Sequence, residues 1–267
     1  MSANLALYNQ LEEFALGRHL LAKRSLDGYW TKYCVVEHPK NRHNPQLHVL
    51  EQFLLNEAPA FLATQERFSI AQAQLKTMLR DGMSIASVPC GFMDDVLGIE
   101  YDAYKAIQLT GCDNDPVSCE GALRNAAQRG LSDKVQVHCM DAWDLARSFP
   151  CAFDILTSNG LNIYVKDIQK ERDLYTAFAG ALKPGGYLIL SFLTPPPTRH
   201  PASPWQNVDA EALQKQKVIF SDVLGVAWQN YHLPEEMIVL MRHAGLEVQG
   251  MFFDRQRIFP TLIAQKI

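Results

Sequence analysis

From residue 84 onward the chain alternates short apolar runs with amphipathic stretches, and no other feature restricts its fold as strongly. "MSIASV" reads as a strand, "DDVLGIEYDAY" as a short helix and "KAIQLTGCD" as a second strand. "DPVSCEGALRNAAQRG" reads as a helix, with Asp115 able to cap it, Pro116 suited to its first turn and Gly130 to its C-terminal end. "DKVQVHCMD" and "AFDILTSNG" are the third and fourth strands. "KDIQKERDLYTAFAGAL" is an amphipathic helix that "KPGG" is expected to stop before a fifth strand, "YLILSFL". "PEEMIVLMRHAG" closes the helical set, and "LEVQGMFF" and "RIFPTLIAQKI" read as two last strands, Pro260 pushing the final one toward a sheet edge or the end of a ladder. Such alternation implies a mostly parallel sheet covered by helices on both faces, a three-layer Rossmann-like α/β/α sandwich.

Two segments fall outside this pattern. Residues 1–80 read as a largely helical N-terminal cap interrupted by a polar loop at 37–46, and residues 81–267 as the sandwich. Within the sandwich, residues 194–233 form a long insertion with a proline-rich start and a helix-like middle. An insertion between a central strand and the next helix lies at the ligand-binding end of the sheet, so cap and insertion together suit a lid. Trp205 and Trp228 are expected in the core of that lid.

Composition narrows the partners. Charged residues make up 20% of the chain and its formal charge is −4, which gives no electrostatic basis for binding nucleic acid or an anionic membrane. The most basic stretch, "KRSLDGYWTKY" at 23–33, reads as a solvated face. No apolar run approaches the roughly 20 residues needed to span a bilayer, and the N-terminus lacks the pattern of a signal peptide, so a cytoplasmic protein is expected. The six cysteines have no CxxC spacing; reduced, mostly buried thiols are expected, and no metal site.

In open α/β sheets the ligand lies beyond the carboxyl ends of the strands. Those ends carry Pro89 to Asp95, Asp113 to Asp115, Asp141 to Trp143, and Asn159 to Leu161. Asp113 offers two acceptor oxygens to the paired hydroxyls of a ribose, and Asp141 could accept from an adenine amino group with Ala142 and Trp143 walling the ring. The first helix opens with Asp94 and Asp95. Two carboxylates would repel a pyrophosphate there, which disfavours a nicotinamide dinucleotide, but they accommodate a cationic ligand.

In order and spacing these residues resemble the class I S-adenosylmethionine-dependent methyltransferases. The likeness runs through "SVPCGFM", "GCDNDP", "HCMDAWD", "FDILTSNGLNIY" and "LKPGGYLILSF" over about residues 84–193, and more weakly over 234–266. It implies S-adenosyl-L-methionine as cofactor. It further implies that Pro89 and Gly91 lie against the methionine part, that Asp113 and Asn114 hold the ribose, and that Asp141, Ala142 and Trp143 frame the adenine. Asn159 and Gly160 would face the sulfonium. The first motif departs from the family's acid and three alternate glycines: Ser87, Pro89, Gly91 and Met93 stand there, and Asp94 or Asp95 is expected to supply the missing charge. The activity implied is methylation of a small-molecule acceptor; a non-catalytic adenosyl-binding protein is the alternative. No catalytic residue is assigned and the oligomeric state is left open. Tyr164, His200, Tyr231 and His232 are the candidates for a general base, and a catalytic role for Cys90, Cys112 or Cys139 is disfavoured because no local base accompanies them.

Overall fold

The computed structural model describes residues 3–42, 44–226 and 230–267, so Trp228 lies outside the described residues. Seven strands form one sheet: β1 (Ser84–Ser87), β2 (Gln108–Asp113), β3 (Val135–Cys139), β4 (Phe153–Asn159), β5 (Leu182–Ser191), β6 (Leu246–Phe252) and β7 (Thr261–Lys266). Their order is β3-β2-β1-β4-β5-β7-β6; the first five are parallel, and β7 runs antiparallel to both β5 and β6.

The helices before the sheet are α1 (Ala3–Glu12), α2 (Ala15–Lys23), α3 (Gly28–Lys32), α4 (Val49–Asn56) and α5 (Pro59–Met78). Those within it are α6 (Asp94–Leu97), α7 (Pro116–Gln128), α8 (Leu145–Ser148), α9 (Ile168–Ala181), α10 (Ala210–Lys217) and α11 (Pro234–His243). None of the described helices is long and apolar enough to cross a membrane.

Alternation along the strands separates two buried layers, because successive side chains leave a strand on opposite faces. Ala86, Leu156, Leu188 and Leu190 meet Leu174, Phe178, Met237 and Met241 of α9 and α11. Ile85, Ile155 and Ile189 meet Ala71 and Leu75 of α5 and Ala122 and Ala126 of α7. The expected α/β/α sandwich is therefore present. Caps fix where its helices begin: Asp167 accepts from the N–H groups of Gln169 (2.8 Å) and Lys170 (3.1 Å) at the start of α9. Asp167→Ala is expected to lower stability by about 1 kcal/mol, the usual worth of such a cap, read as a lower urea midpoint.

Two local readings need correction. The helix expected over "DDVLGIEYDAY" stops at Leu97; the Gly98 N–H closes back on the Asp94 carbonyl, and residues 98–107 form no regular element. The "KPGG" segment lies inside β5 rather than before it. The pairing with β4 slips between Phe153 and Ile155, and this bulge absorbs the segment, with Gly185 at φ +75°. Pro260, which allows an edge or the end of a ladder, takes the second place: it stands just before β7, which is interior, while β6 is the edge strand. Its missing N–H therefore costs the ladder nothing.

The N-terminal helices and the insertion share one core. Leu11, Leu16, Leu20, Leu54 and Phe61 pack with Ile219, Phe220 and Leu224, and the Ala60 N–H donates to Gln216 Oε1 at 2.7 Å. α5 serves both layers, since its C-terminal half is buried against the sheet. At its far end the insertion is tied down by a buried network. Glu171 of α9 accepts from Tyr175 Oη at 2.6 Å and is paired with His232 Nε2 at 2.8 Å, while Asn162 Nδ2 donates to Tyr175 Oη at 3.1 Å. Trp205 packs against the small cluster of Ile163, Leu193 and Phe259.

Candidate functional site

A cavity of about 360 Å³ opens at the carboxyl ends of β1, β2 and β4, beneath the cap. Its floor is the turn after β1. Gly91 has φ +49°, and its N–H donates to Asp113 Oδ2 at 2.8 Å; the other Asp113 oxygen takes the Asp115 N–H at 3.0 Å. The Asp113 carboxylate is thus oriented by the backbone with lone pairs to spare, and burial raises its pKa from the ordinary aspartate value against those two bonds. Met93 also takes a left-handed conformation (φ 61°), one that L-residues rarely adopt. Its side chain is fully buried among Ile85, Val96 and Leu109, so the position where the family has a glycine has become part of the core.

The backbone of Gly28 crosses this turn so closely that an added Cβ would stand 3.0 Å from Gly91 Cα and 2.7 Å from Ser118 Oγ. α3 can cover the floor only because both residues lack a side chain. Lys32 of the same helix donates to Asn125 Oδ1 at 3.2 Å.

Asp94 and Asp95 both line the cavity, but they are held differently. Asp94 Oδ1 faces cations, with Arg129 Nη2 at 3.1 Å and Lys32 Nζ at 3.9 Å. Asp95 has no cation among the described residues. It accepts from Ser87 Oγ (3.0 and 3.1 Å), Thr157 Oγ1 (2.6 Å), Asn159 Nδ2 (3.3 Å) and the Val96 N–H (3.0 Å). Burial raises the pKa of both carboxyls, and these hydrogen bonds work against the rise at Asp95. Ser87 therefore brings a carboxylate to the place where it has none itself. Asp94 Oδ2 and Asn159 Oδ1 are buried at the cavity without a hydrogen-bond partner.

Of the residues named from the sequence, Pro89, Gly91, Asp113, Asn114, Asn159 and Gly160 meet at this cavity, whereas Asp141, Ala142 and Trp143 stand outside it. Asp141 caps its own short turn by accepting the Trp143 N–H at 3.0 Å, and the Trp143 indole donates to the Lys170 carbonyl at 2.8 Å. The turn they belong to is nonetheless adjacent, since the Met140 N–H bonds the Asp113 carbonyl at 2.8 Å. Among the base candidates only Tyr164 reaches the cavity. His232 is bound to Glu171, Tyr231 lies under Arg199 at 5.2 Å, and His200 accepts the Ala202 N–H.

Cys90 lines the cavity, but burial raises its thiol far above the ordinary cysteine pKa, and Cys112 is pushed up to about 12 by the same cause. Both stay protonated and weakly nucleophilic. Thiol reagents are expected to modify the exposed Cys139 and Cys151 first, with Cys90 reacting slowly; rapid loss of the Cys90 thiol would contradict this.

Sequence reasoning missed Arg67. It belongs to the buried stripe of α5 formed with Ala60, Ala63, Ala71 and Leu75, and an arginine on that stripe was the available signal.

Several known proteins resemble this chain. A family model described as a methyltransferase domain matches residues 93–190. A crystal structure of a possible exported protein from Bordetella parapertussis is 39% identical, with a TM-score of 0.93, over 98% of this chain and 87% of that one. Two more distant structures share the fold. One is a geranyl diphosphate C-methyltransferase from Streptomyces coelicolor A3(2), at 13% identity and a TM-score of 0.56 over 85% of this chain and 84% of that one. The other is a SAM-dependent methyltransferase from Methanosarcina mazei, at 18% and 0.53 over 73% and 97%. No curated protein sequence matches. With its strand order and its cavity at the strand ends, the chain has the Rossmann-like fold of these methyltransferase structures, and its residues 93–190 match a methyltransferase-domain model.

Proposed function

We propose that the protein transfers a methyl group from S-adenosylmethionine to a small-molecule acceptor enclosed by the cap. The observation that carries this reading is a single cavity reaching from Gly91 and Asp113 to the apolar underside of the cap at Leu20, Phe61 and Phe220. The residues present suit the donor. Asp95 is a buried carboxylate with no cationic partner among the described residues, and burying a lone charge is costly. An ammonium group supplies the missing counter-charge. The free lone pairs of Asp113 suit ribose hydroxyls, and Pro89, Gly91 and Asn114 surround them. The turn of Asp141, Ala142 and Trp143 is where an adenine leaving the enclosed cavity would rest. Asn159 and Gly160 belong to the boundary between the donor half and the acceptor half.

When bound, S-adenosylmethionine supplies an electrophilic methyl group on a sulfonium. The chain's own task is to align the acceptor, for which orientation can account for roughly 7–11 kcal/mol of a barrier, and to exclude water, which the contact of α3 with Gly91 supports. An acceptor atom without a proton needs no base from the protein. The formal charge of −4 supports a small acceptor over nucleic acid. A cytoplasmic setting is part of the proposal and rests on six cysteines without disulfide partners.

Calorimetric titration with S-adenosylmethionine and S-adenosylhomocysteine tests the reading. Wild type is expected to bind both. Asp95→Asn should weaken binding about tenfold by removing a charge-assisted contact. Asp94→Asn should change it by less than about threefold, because Arg129 and Lys32 already face that carboxylate. No binding by wild type would sink the proposal.

A further inference from the structure

The cap side of the cavity is apolar, and Leu20, Leu26, Phe61, Phe68 and Phe220 supply most of it. Into this half projects Arg67 of α5, which is 8% exposed. Its guanidinium lies against Gly160, where an added Cβ would stand 2.9 Å from Nη2, and its Cζ lies 4.2 Å from the centre of the Phe259 ring. Nη1 reaches Ser191 Oγ at 3.4 Å. No carboxylate of a described residue comes within ion-pair distance of it.

Asp254, whose charge it feels, already accepts the N–H groups of Gln256, Ile258 and Phe259. The other cation of the lining, Lys32, is engaged by Asn125 and Asp94. Desolvation lowers the Arg67 pKa to about 10, which still leaves it charged at neutral pH. A buried, charged guanidinium facing an apolar chamber calls for an anion.

Tyr164 stands beside it. Its ring is 45% exposed because it faces the cavity, and surrounding protein raises its hydroxyl above the ordinary tyrosine pKa. It therefore donates a hydrogen bond rather than taking a proton, which removes it as a general base at neutral pH.

We propose that Arg67 and Tyr164 form a carboxylate-recognition pair, and that the methyl acceptor is a mainly apolar molecule bearing a carboxylate. This rests on the methyltransferase reading above and deepens it. The planar guanidinium fixes a carboxylate through paired N–H donors, and its position against Gly160 and Ser191 sets that carboxylate over the ends of β4 and β5. The apolar body of the acceptor then fills the space under Phe61, Phe68 and Phe220. Arg67 and Tyr164 position the acceptor; neither takes part in bond making.

The same chemistry could come from the donor's own carboxylate, so the experiment has two arms. In the first, S-adenosylhomocysteine is titrated into wild type and Arg67→Gln. The expected dissociation constants agree within about threefold. A loss of about tenfold or more in Arg67→Gln, with 5′-methylthioadenosine binding unchanged, assigns Arg67 to the donor and overturns the proposal. In the second, protein saturated with S-adenosylhomocysteine is titrated with phenylacetate and octanoate, and with phenylacetamide and octanamide as neutral partners. Each carboxylate is expected to bind wild type about tenfold or more tighter than its amide, and this preference should fall below about threefold in Arg67→Gln.

Equal binding of acid and amide, or binding of neither, overturns it. If Arg67→Gln fails to fold, Tyr164→Phe carries the same comparison. It removes one oxygen, and an unchanged carboxylate preference overturns the proposal. Failure of wild type to bind S-adenosylhomocysteine at all counts instead against the methyltransferase reading on which the proposal stands.

Discussion

Asp113→Ala is expected to weaken S-adenosylhomocysteine binding by about a hundredfold or more, since two hydrogen bonds to a charged acceptor at about 1.5–3 kcal/mol each are lost together. A second loss adds to this. The same carboxylate holds the Gly91 N–H at 2.8 Å and the Asp115 N–H at 3.0 Å, so its removal also releases the turn that forms the cavity floor. Asp113→Asn keeps one acceptor oxygen and should fall between wild type and alanine. Calorimetry on the three proteins, with circular dichroism to confirm folding, is the check. A dissociation constant for Asp113→Ala within threefold of wild type would remove Asp113 from the donor site.

Glu171→Leu is expected to destabilise the protein by about 3 kcal/mol, the range found when one partner of a buried ionic or hydrogen-bonded pair is removed. Glu171 is fully buried and serves Tyr175 Oη and His232 Nε2 at once. Leucine approximates its volume but leaves both groups without an acceptor in a dry interior. Glu171→Gln retains one acceptor oxygen, so its loss should be smaller. Because His232 ends the insertion, whose other parts pack with the N-terminal helices, the cap should loosen along with the global loss. Urea unfolding measures the first effect, and amide exchange near Asn230 and Ile163, whose N–H and carbonyl bond each other, measures the second. A change below 1 kcal/mol would mean that the network contributes little.

Much of the sandwich is legible in the chain because strand and helix periods are local. Leu188 and Leu190 face one layer and Ile189 the other, as alternation requires, and the Asp115 cap ahead of α7 stands where the sequence puts it. Local signals failed where their meaning depends on a neighbouring strand. "KPGG" is a helix stop when read alone, yet the slip between β4 and β5 makes it a bulge within a strand. Pro260 allows an edge or the end of a ladder, and only the pairing shows that it falls one residue outside the ladder, where its missing N–H has no consequence. Neither outcome can be read without knowing which strands are paired.

The site divides in the same way. Sequence order alone placed Gly91, Asp113, Asn114, Asn159 and Gly160 at strand ends, since any parallel sheet brings the carboxyl ends of its strands to one side. Other features required the fold. Whether Asp94 or Asp95 stands in for the missing acid depends on which of them has a cation nearby, and Arg129 and Lys32 come from elements remote in sequence. The setting of Arg67 depends on Gly160, Ser191 and Phe259, which lie far along the chain. The chain thus dictates its strands, its helices and the end of the sheet that carries a ligand, because backbone hydrogen bonding and apolar periodicity act over a few residues. Which charges are compensated, and which are left facing a cavity, is decided only in three dimensions, because burial and pairing are set by groups that folding brings together.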